Sequence, residues 1–143
     1  MRCYFDTAYI VKCYVNEPGH RGVRAVARRA SGLYSSAWCI AELACAFHRH
    51  VREGSLTQEQ AIELRNLFLS DLRQGVWVVF PVSGQLLLQV ESATANLPPT
   101  MHLRAGDAVH LVTARHAGFS EIWTNDRHLL AAAPHFGLTG RSV

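Results

Sequence analysis

At 143 residues the chain has the size of one domain and can bury most of its surface around a single core. Its 49% hydrophobic and 17% charged residues are ordinary for a globular protein and exclude a low-complexity chain. No apolar run reaches the roughly 18 residues of a membrane helix. The net charge of +3, with arginine as thirteen of the fourteen basic residues, admits a polyanionic partner without requiring one.

Arg2 to Phe5 reads as a short strand, with Asp6-Thr7 at its C-terminal end and Thr7 placed to cap a helix from about Ala8 to Val15. The strand begins close behind Met1, without a signal peptide's apolar run, so a cytoplasmic location is expected. A second helix, His20 to Ala30, sets Val23, Val26, Ala27 and Ala30 against Arg21, Arg24 and Arg28. Its basic side, with Arg29, is read first as a solvated face and second as an RNA or dimer contact.

A strand at Leu33-Tyr34-Ser35 is followed by Ser36 as the expected N-cap of a long helix to about Arg52. Trp38, Ile40, Ala41, Leu43, Ala44 and Phe47 give that helix a broad apolar surface, with Glu42 in its middle. Thr57 and Gln60 form a capping box opening the next helix, whose inner stripe is Ala61, Leu64, Phe68 and Leu72. Val76 to Val82 is β-rich, with Pro81 at its departing end, and Ser83 caps a helix over Gln85 to Asn96.

The loop Leu97-Pro98-Pro99-Thr100 precedes a helix from about Leu103 to Arg115 that is apolar on nearly every face yet carries Asp107 in its first turn. A carboxylate among aliphatics needs a partner, and Arg104 or His110 lies within helical reach. Glu121 to Thr124 reads as a strand ending in Asn125-Asp126, followed by a helix from Arg127 to Ala133 that Pro134 ends and a tail with one edge strand. Cys3, Cys13, Cys39 and Cys45 lack metal-site spacing and read as buried free thiols, and Trp38, Trp77 and Trp123 sit in core-like patterns.

Strands alternating with helices imply a single α/β/α sandwich over residues 1–143 with a mainly parallel central sheet. Ligands of such sheets bind beyond the carboxyl ends of the strands. Asp6 and Asp126 follow strands directly, while Glu42 and Asp107 stand in early helical turns on the same edge. Singly, each has a plain structural use: Asp6 and Asp126 as N-caps, Glu42 paired with an arginine, Asp107 paired with Arg104. Jointly, four carboxylates on one rim call for a hard cation, Mg²⁺ or Mn²⁺. Such a site suits phosphodiester hydrolysis. Thr7, Ser36, Thr124 and Asn125 are candidates to orient carboxylates or waters, with simple capping as the equal alternative. His110 is read as a core or supporting residue.

The pieces F-D-T-A-Y at 5 to 9, N-E-P-G at 16 to 19, S-S-A-W-C-I-A-E-L at 35 to 43, L-R-A-G-D-A-V-H-L at 103 to 111 and T-N-D-R-H-L at 124 to 129 resemble the PIN-domain family, and within it the VapC-type toxin branch. The resemblance implies a Mg²⁺- or Mn²⁺-dependent endoribonuclease, the toxin of a type II toxin–antitoxin pair. Asp6, Glu42, Asp107 and Asp126 fall at the family's acidic metal positions, with Thr7, Ser36 and Thr124 as supporting hydroxyls. It also implies an RNA substrate, a homodimer and a cognate antitoxin that covers the acidic groove. Gly106 departs from the family, standing where a larger residue is common, at a helix cost of about 1 kcal/mol relative to Ala. Residues 54 to 74 carry no family signature.

The competing readings are a non-catalytic RNA-binding or regulatory PIN-like module and a PIN-type nuclease outside any toxin–antitoxin pair. An aspartyl-phosphate phosphatase would need an acid two residues after Asp6, where Ala8 stands.

Overall fold

Strand β1 (Arg2–Tyr4) is the central strand, paired in parallel with β2 (Gly32–Ser36), which pairs in parallel with β3 (Trp77–Phe80). The structure is a computed structural model describing residues 1–143. On the other side, β4 (Glu121–Trp123) pairs in parallel with β5 (Thr139–Arg141). A parallel bridge between Phe5 and Trp123 joins the two pieces, supported by the Asp6 N–H donating to the Trp123 carbonyl at 3.2 Å. The sheet order is therefore β3-β2-β1-β4-β5, parallel throughout. Asp6 leaves the sheet at this junction between β1 and β4.

Alternation along β1 divides the interior in two. Cys3 and Phe5 enter one core with residues of α1 (Thr7–Tyr14), α2 (His20–Arg29), α3 (Trp38–Arg52) and α4 (Gln58–Arg73). Tyr4 enters the other, with residues of α5 (Gly84–Ala95), α6 (Ala105–His116) and α7 (Arg127–Ala132). The α/β/α sandwich expected from the sequence is the observed architecture.

Several local expectations hold in atomic detail. Thr57 and Gln60 form the reciprocal capping box of α4, and Ser83 accepts from the Leu86 N–H at the start of α5. Others shift. Thr7 is the first residue of α1 and not its cap, because Asp6 caps the helix by accepting from the Tyr9 N–H. Pro134 does not stop the last helix outright; a 3₁₀ turn over Ala133–Phe136 carries it on to Gly137. Only part of the apolar surface of α3 is internal. Cys39, Leu43 and Phe47, spaced i, i+4, are buried, whereas Trp38, Ile40, Ala41 and Ala44 are exposed because α3 has neighbours on one side only. Of the cysteines, Cys3 and Cys39 are buried, Cys13 is half-buried and Cys45 is exposed on the outer face of α3.

The buried stripe of α3 fixes its rotation, so Glu42, one residue before Leu43, flanks the core at the carboxyl edge of the sheet. α6 is held still more tightly, since every residue from Ala108 to Ala114 is buried. Asp107 is the last residue before that buried run.

Candidate active site

One pocket of about 240 Å³ lies at the carboxyl edge of the sheet and is lined by Asp6, Glu42, Asp107 and Asp126, with Thr7 and His110 among its other walls. The four acids singled out in the sequence thus share a cavity.

Asp6 is the most constrained of them. It is 3% exposed, its Oδ1 accepts from the Tyr9 N–H at 2.9 Å, and its Oδ2 accepts from the Thr124 hydroxyl at 2.5 Å. Burial pushes its pKa up to about 6, against the opposing pull of the Thr124 and Tyr9 hydrogen bonds. The fully buried Thr124 hydroxyl also accepts from the Asp126 N–H at 2.9 Å. One side chain thereby sets the spacing of the two strand-end acids.

Glu42 is held from two helices. Its Oε1 accepts from the Thr7 hydroxyl at 2.7 Å and from His110 Nε2 at 2.8 Å. The His110 ring is 2% exposed, and its Nδ1 shares a hydrogen bond with the Tyr4 hydroxyl at 3.0 Å. Burial alone would raise the Glu42 pKa, but the His110 contact, the Thr7 hydroxyl and the charge of Arg104 together hold it below the usual carboxylate range. His110 therefore supports Glu42 from inside the core, and no arginine pairs with this acid.

Asp126 caps α7, its Oδ1 accepting from the His128 N–H at 2.7 Å and the Leu129 N–H at 3.1 Å. Its Oδ2 faces only the Arg104 guanidinium, at 4.0 Å. Asp107 makes no hydrogen bond and has Arg104 at 3.7 Å. Its pKa is raised, first by burial and then by the charge of Asp126, with Arg104 opposing. The Arg104 side chain is 82% exposed, so this pairing is weak and readily displaced.

The capping alternatives are therefore realised for Asp6 and Asp126, and each still leaves its carboxylate on the pocket. Ser36 and Asn125 bond elsewhere. The Ser36 hydroxyl accepts from the Trp38 N–H at 3.1 Å, steadying the start of α3, and Asn125 Oδ1 accepts from the Tyr9 hydroxyl at 3.0 Å. Neither hydrogen-bonds an acid of the pocket.

Two lining residues were not singled out in the sequence. Glu17 and Arg49 wall the cavity, and Glu17 is tied to Lys12 at 3.3 Å and to His50 Nε2 at 2.7 Å. Glu17 stands in the N-E-P-G piece at 16 to 19, but nothing in its spacing placed it beside the acids. Gly106 also finds its reason here: a Cβ at that position would lie 3.0 Å from Glu42 Oε2 and 3.0 Å from Trp38 Nε1. The indole of Trp38, 40% exposed, belongs to the rim of the site and not to the core.

The oxygen-rich donor set suits a hard divalent cation. As the side chains stand, however, no three His, Cys, Asp or Glu residues converge closely enough to enclose one. Nor does any helix have the length and apolarity to cross a membrane.

The whole chain superimposes on VapBC2 from Rickettsia felis, a complex bound to a DNA fragment from its promoter, with TM-score 0.69, 15% identity and coverage of 100% of this chain and 99% of that one. Mycobacterium tuberculosis VapC20, a toxin that cleaves the sarcin-ricin loop, gives TM-score 0.67 at 16% identity over 91% of this chain and 94% of that one. FitAcB from Neisseria gonorrhoeae gives 0.64 at 17% identity, over 98% and 96%. No curated protein matches the chain in sequence. At such identities the likeness establishes the fold; the family rests on the PIN domain profile, which matches residues 3–134. The chain belongs to the PIN-domain family.

Proposed function

We propose that this protein is a metal-dependent endoribonuclease, the toxin of a type II toxin–antitoxin pair. The observation that carries the reading is the convergence of Asp6, Glu42, Asp107 and Asp126 on one pocket, where Asp107 is crowded by the charge of Asp126. Crowded carboxylates need a counter-cation, and the only one paired with Asp107 and Asp126 is the exposed Arg104.

Mg²⁺ needs only one or two carboxylates and keeps several waters, so an open arrangement suits it better than a closed cage. When bound, Mg²⁺ or Mn²⁺ supplies an acidified water and neutralises charge on the phosphodiester. Asp107, the Asp126 Oδ2 and the Glu42 Oε2 are the oxygens without hydrogen-bonded partners and would hold it. Asp6 and Thr124 fix the spacing of that set, and Thr7 with His110 aims Glu42. The buried Thr124, Thr7 and His110 side chains orient Asp6 and Glu42 through their hydrogen bonds.

The toxin role draws on the likeness to VapBC2, FitAcB and the toxin VapC20, and carries with it a cognate antitoxin, a homodimer and a cytoplasmic location. The test is cleavage of purified total RNA by the protein expressed without a partner, in Mg²⁺ or Mn²⁺ against EDTA, beside Asp107→Asn. Products that require both metal and Asp107 are expected. Intact RNA in every lane, from folded and uninhibited protein, would move the reading to a non-catalytic RNA-binding module.

A further inference from the structure

Beside the acidic pocket lies a second cleft, of about 410 Å³, lined by His102, Leu103, Arg104, Asp107 and His128. The two cavities share Arg104 and Asp107 as wall residues, so they adjoin. His102, on the loop before α6, and His128, at the start of α7, face each other with ring centroids 5.1 Å apart and planes 37° from parallel. Neither imidazole is hydrogen-bonded or ion-paired within the chain. His102 is exposed and His128 half-buried. Two unpartnered aromatic rings at the mouth of a charged pocket have no structural task that the fold requires.

We propose that this cleft is a nucleotide subsite for single-stranded RNA, in which an unstacked base lies against the His102–His128 pair while Arg104 takes the adjoining phosphate. The subsite rests on the ribonuclease reading of the neighbouring pocket. Sequence-tolerant recognition of single strands combines ring faces for base stacking with cations that follow the backbone. The His pair supplies the first and Arg104 the second. Arg104 lines both the base cleft and the acidic pocket, within reach of a phosphodiester that runs from one to the other. Because its side chain is 82% exposed, little packing opposes its turn from Asp107 towards a phosphate. The ring nitrogens left free in the cleft can meet the polar edge of a base, which a purely apolar platform could not.

The test is fluorescence anisotropy in EDTA with a short labelled single-stranded oligoribonucleotide and with its counterpart lacking bases. The proteins compared are the wild type, His102→Ala/His128→Ala and His102→Phe/His128→Phe, each checked for an unchanged melting temperature. The alanine pair should bind the base-bearing strand about 10-fold more weakly, within the range of one lost stacking contact, and the baseless strand as the wild type does. The phenylalanine pair should retain most of the affinity. Unchanged binding by the alanine pair, or an equal loss on both strands, would overturn the subsite while leaving the nuclease reading intact, provided the wild type cleaves RNA with Mn²⁺. A wild type that neither binds nor cleaves RNA would overturn both.

Discussion

Asp6 and one oxygen of Glu42 are fully engaged by buried donors, whereas Asp107 has no hydrogen bond and Asp126 spends only one oxygen on its helix cap. The first pair sits where β1 and α3 enter the core; the second opens toward solvent under a single exposed arginine. Hydrogen bonds fix a carboxylate but also occupy it. The pocket therefore divides into a half that sets geometry and a half that keeps oxygens free for a cation, and Glu42, with Oε2 unbonded, spans the two.

That division is sharpest at Asp107. Asp107→Asn removes a charge without removing shape, so RNA cleavage should fall by more than about 100-fold, beyond the loss usual for a group outside the ligand set, while the melting temperature stays near that of the wild type. Thr7→Val comes next. It deletes the donor that aims Glu42 while filling the same space, and cleavage should drop roughly 10- to 100-fold with a weaker apparent metal affinity.

Asp6 tests the fixed half through stability. Its carboxyl is pushed up to about 6 by burial, so in apo protein between the ordinary aspartate value and that point the native state holds a proton that the unfolded chain has lost. The stabilisation is present at low pH and is lost as pH rises through about 6. Urea unfolding in EDTA should show the wild type losing on the order of 1–3 kcal/mol relative to Asp6→Asn across that window. Asp107, also shifted upward, adds a change of the same sign, and Glu42, held low, loses its contribution only in more acid solution. A flat difference between the two proteins would remove Asp6 from the buried, charge-averse half.

Gly106→Ala should have the smallest effect. The helix gains up to about 1 kcal/mol from alanine, but the new Cβ presses on Glu42 Oε2 and Trp38 Nε1, so turnover should fall a few-fold with little change in melting temperature. Faster turnover would mean that the glycine makes no room that the site uses.

The sequence carried the acids well because each has a topological address: after a strand for Asp6 and Asp126, in an early helical turn for Glu42 and Asp107. Strand ends and helix starts of a parallel sheet share an edge, so convergence follows without side-chain detail. Finer assignments failed where one hydroxyl or amide had several neighbours in reach. Ser36 and Asn125 looked equivalent to Thr7 and Thr124, but they bond to Trp38 and Tyr9 instead of to the acids. Exposure was misjudged on α3, where Trp38 and Cys45 follow apolar composition but lie off the buried Cys39–Leu43–Phe47 stripe. Composition gives the breadth of an apolar surface, and only packing tells which part is covered. Glu17 and the His102–His128 pair join the neighbourhood of the acids through loop paths that no periodicity encodes.

The most direct test of the account is a calorimetric titration of the metal-free protein with Mn²⁺, for the wild type and Asp107→Asn. The account predicts saturable binding in the wild type that the variant loses or weakens severely, with the fold intact. Equal Mn²⁺ binding by both proteins, or none by the folded wild type, would contradict the claim that Asp107, with Asp126 and Glu42, holds a cation in this pocket.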